Sequence, residues 1–474
     1  MTHVRKLLLL SATIALAGCD MAPRYVRPQL PVPAEAPDGA AYPKGGTAID
    51  AAALADTAWR DFFTDPRLRE VISTALVNNR DLRLALANVE QARAQYRIQR
   101  ADIFPTLGAT GSATIQKSPL GDASGAGGGS VGRTEVYAVS AGVSAWEIDL
   151  FGRVRHLTKA AQEEFFAVEE NHKATQTVLV AEVATAWLIM AADQDSLALA
   201  RKTETAFRQT LDLTEARFRA GIASELDARQ ARTSYDRARA DIASLTTQVA
   251  QDQNAINLLA GTTVPAALLP EALVPSGATL DRLPANLSSD VLLRRPDVAA
   301  AEHRLIAANA DIGAARANFF PRISLTAALG TMSLGLSNLF TGASESWSVA
   351  GSADVPIFDF GRNAGNLSLA KATRDAMVAQ YEKTVQTAFR DVADALARRG
   401  TIEDQLAAQR SLTANAEASY RLSDARFRAG VDVFLNTLIS QRGFYAAEQE
   451  LVGTRLTKET NAVELYRALG GGLK

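Results

Sequence analysis

Histidine and cysteine are almost missing from this sequence, with four and one respectively in 474 residues. That leaves little material for a metal site or a thiol-based mechanism. Aromatic residues make up only 6%, and the 47% hydrophobic fraction leans on alanine, which suits closely packed helices better than a bulky globular core. A formal net charge of -2 leaves no excess of either sign, so nucleic acid is not an expected partner. Beyond the first residues there is no run of ~18 apolar residues, so no spanning helix is expected. These shortages argue against an enzyme. The length is ample for two or more domains.

What is present begins with a targeting device. Arg5 and Lys6 form a basic start, Leu7 to Leu16 a short apolar stretch, and Leu16-Ala17-Gly18-Cys19 follows. This box resembles that of bacterial lipoproteins, in which the cysteine becomes the new N-terminus and carries lipid. The sole cysteine stands at that spot, so residues 1–18 read as signal and Cys19 as the lipidation site. Several acyl chains, at ~0.8 kcal/mol per buried CH2, anchor a chain stably. Residues 19–53 are rich in proline (Pro23, Pro28, Pro31, Pro33, Pro37, Pro43) and show no apolar period. They read as an extended tether, long enough at ~3.1 Å per residue to run along a large body.

The remainder is an internal duplication. Ala216-Arg217-Phe218-Arg219-Ala220-Gly221 recurs as Ala425-Arg426-Phe427-Arg428-Ala429-Gly430, and Asp149-Leu150-Phe151-Gly152-Arg153 recurs as Asp359-Phe360-Gly361-Arg362. Arg100 to Pro105 matches Arg316 to Pro321. Repeat 1 spans 54–261, a linker at equatorial level spans 262–290, and repeat 2 spans 291–474. Each repeat is expected to hold a helix, two strands, a very long helix and a return helix. In repeat 1 the strands fall near 106–115 and 136–146, and the helices at 153–220 and 222–260. In repeat 2 they fall near 322–330 and 346–356, and at 362–429 and 431–469.

The strand segments alternate with period two. Leu107, Ala109, Ala113 and Ile115 share one face against Thr106, Thr110, Ser112 and Thr114. Tyr137, Val139, Ala141, Val143 and Ala145 alternate with Ser140, Gly142 and Ser144, and Trp347 to Val355 repeats the design. Ten such residues tilted ~45° cover roughly 23 Å, the thickness of an outer-membrane apolar band. Phe104, Trp146, Phe151, Phe320, Trp347 and Phe358 lie near the strand ends, as an interfacial aromatic girdle requires. A soluble sandwich needs more strands and bulkier inward residues. Four strands cannot close a barrel, and an open sheet edge does not survive in hydrocarbon, so the barrel must be shared between chains. Two copies give eight strands and a filled interior; three give twelve and room for a solute.

Arg153 to Ala220 contains neither glycine nor proline, and at ~1.5 Å per residue it makes roughly 100 Å of helix. That length calls for a coiled bundle, with Phe207, Leu211 and Phe218 as its seam. Gly221 and Gly430 stand where helix C-caps belong. Since strands enter and leave as hairpins, all long helices project to one side of the membrane.

Leu293-Arg294-Arg295-Pro296-Asp297-Val298, then Ile312-Gly313-Ala314-Ala315-Arg316-Ala317-Asn318-Phe319-Phe320-Pro321, and the closing Leu465-Tyr466-Arg467-Ala468-Leu469-Gly470-Gly471-Gly472 resemble the TolC-like outer-membrane factors. The likeness is to the lipidated branch that includes OprM and CusC, and it covers the chain after the signal. It implies a mixed fold: a trimeric twelve-stranded β-barrel, four strands per chain, continuous with a periplasmic α-helical tunnel. It implies a passive outer-membrane exit duct in an efflux system, docking to a periplasmic adaptor and an inner-membrane pump of the RND type. The turns Gly221-Ile222 and Gly430-Val431 become the adaptor contact. Asp227, Asp432 and Asn436 become the residues of the tunnel-tip aperture. Where relatives read Leu-Asp-Ala-Gln, this chain reads Leu438-Ile439-Ser440-Gln441, so one expected ring of aspartates is missing. No cofactor is expected besides the lipid on Cys19, and no metal.

Other motifs fall away. His156, His172 and His303 lack metal-ligand spacing and read as helix-surface residues. The cluster Gly125 to Gly129 lacks the Lys-Ser/Thr of a P-loop and reads as an extracellular loop. The competing hypothesis is a lipid-anchored periplasmic coiled-coil adaptor or scaffold. It fits the long helices, and Asp20 favours it, being a residue that retains lipoproteins at the inner membrane in enteric bacteria. It leaves the duplicated strand pairs unexplained.

Overall fold

The computed structural model describes residues 20–35, 37–42, 57–117, 133–274, 277–280 and 288–471. The signal, Cys19 and the Gly125–Gly129 cluster lie outside these. In chain order the elements are α1 (Trp59–Phe62), α2 (Pro66–Asn78), α3 (Arg80–Ala101), β1 (Leu107–Lys117), β2 (Arg133–Glu147), α4 (Arg153–Arg219) and α5 (Glu225–Ala260). There follow α6 (Pro296–Ala317), β3 (Arg322–Ser333), β4 (Glu345–Asp354), α7 (Arg362–Arg428) and α8 (Phe434–Ala468). Two compact units result. One comprises the segment up to Pro28, Val89–Val168 and Ala301–Tyr381; the other Gln29–Asn88, Glu169–Ala300 and Glu382–Lys474.

The first unit holds one four-stranded antiparallel sheet in the order β1-β2-β3-β4, with β1 and β4 at edges that no other described strand pairs. Register places Leu107 opposite Val143, Ala141 opposite Leu329 and Leu329 opposite Trp347, so the apolar residues form one continuous face. The opposite face carries hydroxyls, with Thr110 bonded to Ser140 at 3.1 Å and Ser324 to Ser352 at 2.7 Å. The alternation fails at one place. A bulge falls between Val143 and Trp146, where Ala145 takes φ 48° and its N–H donates to the Thr326 hydroxyl. Ala145 is thus not the apolar-face residue its parity predicts; the extra residue puts Trp146 there. The Trp146 indole donates to Ile103 O at 3.2 Å, and Phe151 stacks on Phe320.

Beyond the strands, the repeated Asp-(Leu)-Phe-Gly-Arg motif starts the long helices. Asp149 accepts from the Arg155 N–H and Asp359 from those of Gly361 and Asn363, while Gly152 and Gly361 turn the chain with positive φ. Each carboxylate occupies amide donors that a helix start leaves free.

The tether lies along α6. Met21 O accepts from Arg316, Pro23 O from Asn309, and Glu302 accepts from both the Tyr25 hydroxyl and Arg27. Residues 316, 309 and 302 are seven apart, on one helical face. Fourteen helical residues and six extended ones both measure about 20 Å, which is why the rungs stay in step. His156 is not the surface residue expected. Its side chain is largely buried beside Asp20 (3.3 Å) and packs so closely on Gly313 that any Cβ there would meet the ring at 2.7 Å. Burial pushes its pKa down, while Asp20 pulls the other way.

The second unit explains the two terminal motifs. Arg295, 7% exposed, donates to Asp297 and to Ala468 O at 2.8 Å, so it closes the end of α8. Gly470 lies against Arg295, and the Tyr466 ring stacks on Phe62 at 4.0 Å. Between Arg67 and Phe104 there is neither glycine nor proline, yet the helix there is interrupted at Asn79, whose ψ is 138°. Its side chain caps α3 by accepting from Leu82 N–H and donates to Leu259 O. One stretch of α4 is apolar enough to cross a membrane, but 56% of it is buried within the chain, as a packed bundle helix requires.

Candidate functional site

The tip is built from the two turns that join α4 to α5 and α7 to α8, all within the second unit. Both are the same motif. Gly221 N–H donates to Phe218 O and Ile222 N–H to Arg217 O; Gly430 N–H donates to Phe427 O and Val431 N–H to Arg426 O. Both glycines take positive φ (76° and 74°), which a side chain resists at this position. Ile222 and Val431 are left exposed beside them.

Beyond the turns the repeats part company. Ser224 caps α5 in a reciprocal box with Asp227: the Asp227 N–H donates to Ser224 Oγ, and Asp227 Oδ2 accepts from Ser224 N–H and Oγ. In the second turn Val433 offers no cap. There Asp432 accepts from Asn436 Nδ2 at 2.7 Å, Val433 N–H at 2.9 Å and Arg426 Nε at 3.2 Å. These donors, Asn436 foremost, hold its carboxyl below the usual range. The structure therefore joins Asp432 to Asn436, and gives Asp227 a capping partner of its own. Ile439, in place of an aspartate, is exposed.

Behind the turns lies a cluster of Leu211, Ala231, Phe427, Phe434 and Leu438, flanked by Leu213 and Tyr235. Arg217 stacks over the Phe427 ring at 4.3 Å and reaches Phe427 O. Deeper, Arg442 donates to Ser234 Oγ at 3.0 Å and the Tyr445 hydroxyl to Asp241 at 3.3 Å, linking α8 to α5. Burial and Asp241 push the Tyr445 hydroxyl up to about 12. The expected seam needs one correction. Phe207 and Leu211 are buried, but Phe218 is 43% exposed while its repeat partner Phe427 is buried. Phe427 packs beside Phe434 inside the cluster, while Phe218 stays outside it. Arg217, Arg442 and Tyr445 were missed by the sequence reading. Arg217 lies in the repeated Ala-Arg-Phe-Arg-Ala-Gly motif, which does not say which copy points inward, and Arg442 and Tyr445 lie outside both copies.

An antiparallel sheet with one apolar and one hydroxyl face, joined to two long helical hairpins, is the architecture of a channel protein of the outer membrane. The model of the family described as outer membrane efflux protein matches residues 71–262 and 287–471. The chain is 46% identical over 469 residues to the probable efflux pump outer membrane protein TtgC of Pseudomonas putida KT2440, covering 99% of this chain and 96% of that one. It is 42% identical over 462 residues to outer membrane protein OprJ of Pseudomonas aeruginosa, covering 97% and 94%. The open-state crystal structure of the MtrE outer membrane channel of Neisseria gonorrhoeae superposes with a TM-score of 0.85 at 36% identity, covering 96% of this chain and 99% of that one. The chain belongs to the outer membrane efflux protein family. It is a TolC-like efflux channel component of the outer membrane, which displaces the adaptor or scaffold alternative.

Proposed function

We propose that three copies of this chain form the passive exit duct of a tripartite pump for small toxic solutes. The observation that carries the reading is the sheet itself: apolar on one face, hydroxylated on the other, with unpaired edges at β1 and β4. Open edges in hydrocarbon leave backbone groups without partners, so β4 of one copy must pair with β1 of the next. Three copies close twelve strands with a water-filled interior. Relatives named for efflux of antibiotics, toluene and solvents support a cargo of that kind. The chain does no chemistry in this reading. Energy comes from an inner-membrane pump, of the RND type, linked through a periplasmic adaptor.

The exposed Ile222 and Val431 beside Gly221 and Gly430 suit the adaptor contact, being apolar residues on two like turns. Asp227, Asp432 and Asn436 line the aperture. Cys19 carries the lipid, and the strap along α6 leads to it. Unboiled samples of the purified protein should run at three times the chain mass, and collapse to one chain on heating. A protein that stays monomeric in mild detergent and gives no conductance in planar bilayers would sink the reading. For the aperture, Asp227→Ala should raise conductance, whereas Asp227→Glu, which keeps the charge, should not. Labelled palmitate should be incorporated by the wild type and not by Cys19→Ser.

A further inference from the structure

The hydroxyl face of the sheet is also free of charge through most of its length. Register assigns that face residue by residue, and among the described residues it is made of glycine, alanine, serine, threonine, valine, methionine and one glutamine until the helix-side end. Charges appear only there. Glu147 lies opposite Ser324 but both its oxygens are taken by Arg153, at 2.6 and 2.9 Å. Arg322 lies directly opposite Asp354, one positive and one negative group at the same level. At the far end the charged residues Lys117, Glu135 and Glu345 belong by register to the apolar face.

Resting on the reading that this face lines the lumen, we propose that it is a charge-indifferent exit wall, accepting neutral, cationic and anionic small solutes alike. The physical argument has two parts. A hydroxyl both donates and accepts, so a wall of them can solvate a solute of either sign. Fixed charges of one sign in a narrow aqueous cleft concentrate counter-ions by ~10-fold or more, and here such charges are absent or balanced. Discrimination by charge, where it occurs, is left to the helical hairpins with Asp227 and Asp432.

The chain's single cysteine, Cys19, makes thiol labelling a clean test. Ser348 faces the hydroxyl side and Val349, the next residue, the apolar side. In the full-length protein in vesicles, Ser348→Cys is treated with an anionic sulfonatoethyl and a cationic trimethylammonioethyl methanethiosulfonate. Each rate is normalised to that of the reagent with a small free thiol, and the wild type sets the background. The expected result is a cation-to-anion ratio within about 3-fold of unity for Ser348→Cys, and no labelling of Val349→Cys. Adding Ala350→Asp to Ser348→Cys should swing the ratio at least about 10-fold toward the cation, since three copies place a ring of carboxylates beside the thiol. A 10-fold bias in Ser348→Cys alone overturns the inference while leaving the channel standing. Labelling of Val349→Cys but not of Ser348→Cys overturns the lumen assignment itself, and the inference with it.

Discussion

Replacing Asp193 by asparagine should make the protein more stable at neutral pH and make no difference near pH 4. Asp193 on α4 and Asp252 on α5 are neighbouring carboxyls, and Asp252 is 7% exposed. Asp252 Oδ1 accepts from Gln248, while Oδ2 is buried with no fixed donor. Below pH about 6 a proton on Asp193 can supply the missing bond. Burial first, then Asp252, pushes the Asp193 carboxyl up from 3.8 to about 6. The unfolded chain binds this proton less tightly than the folded one, so the stabilisation is complete below the unfolded value. It is lost as pH rises from about 4 to about 6. Two pH units correspond to about 3 kcal/mol in a dry site, and solvent access to Asp193 cuts this to about 1 kcal/mol. An asparagine donates to Asp252 Oδ2 at every pH and removes the dependence. Thermal unfolding followed at 222 nm from pH 4 to 7 should show the variant's midpoint equal to wild type at pH 4 and about 1–2 °C above it by pH 6.5. A difference that is constant across the range, or a variant less stable at pH 7, refutes this role of the proton.

Four further substitutions probe other contacts. Gly261 ends α5 at φ 67°, and a Cβ there would stand 2.3 Å from Asn78 O. Gly261→Ala should therefore cost about 2–4 kcal/mol in thermal or urea unfolding, whereas Gly443→Ala, which meets nothing within 4 Å, should be neutral or slightly stabilising. Arg217→Ala removes the stacking on Phe427 and should raise amide exchange at the two tip turns by about 10-fold, with β1–β4 unchanged. Glu302→Ala frees Tyr25 and Arg27 of the strap from α6, and tryptic cleavage after Arg24, which is exposed, should quicken by about 5-fold. Unchanged cleavage would mean the rungs at Arg316 and Asn309 hold the strap unaided.

The strand alternation could be read from sequence because the two faces meet different surroundings, and Ser324, Leu325, Thr326 and Ala327 simply record them. Helix ends were legible wherever glycine stood at a positive φ, as at Gly221 and Gly430. The bulge was not legible. Ala145 adopts a left-handed conformation without being glycine, and its reason lies in Thr326, far along the chain. Nor was the break at Asn79, since asparagine ends a helix only when its side chain finds donors, here supplied by Leu82 and answered by Leu259 O. At the tip, the family motif singles out Asp227, Asp432 and Asn436 but not the bonds they make, the Ser224 box for the first and the Asn436–Asp432 bond for the other two. Arg217 and Phe427 are brought together by tertiary packing alone, and the repeated motif that holds both is silent on which copy is buried.

The unpaired margins of the four-stranded sheet carry a consequence for biogenesis. A newly secreted copy has no stable way to enter lipid by itself, because its outermost backbone groups would find nothing to bind there. Association must precede or accompany insertion, so the yield of mature protein should depend steeply on how many copies are in the periplasm at once. Underexpressed chains would linger outside the bilayer, where proteases can reach them.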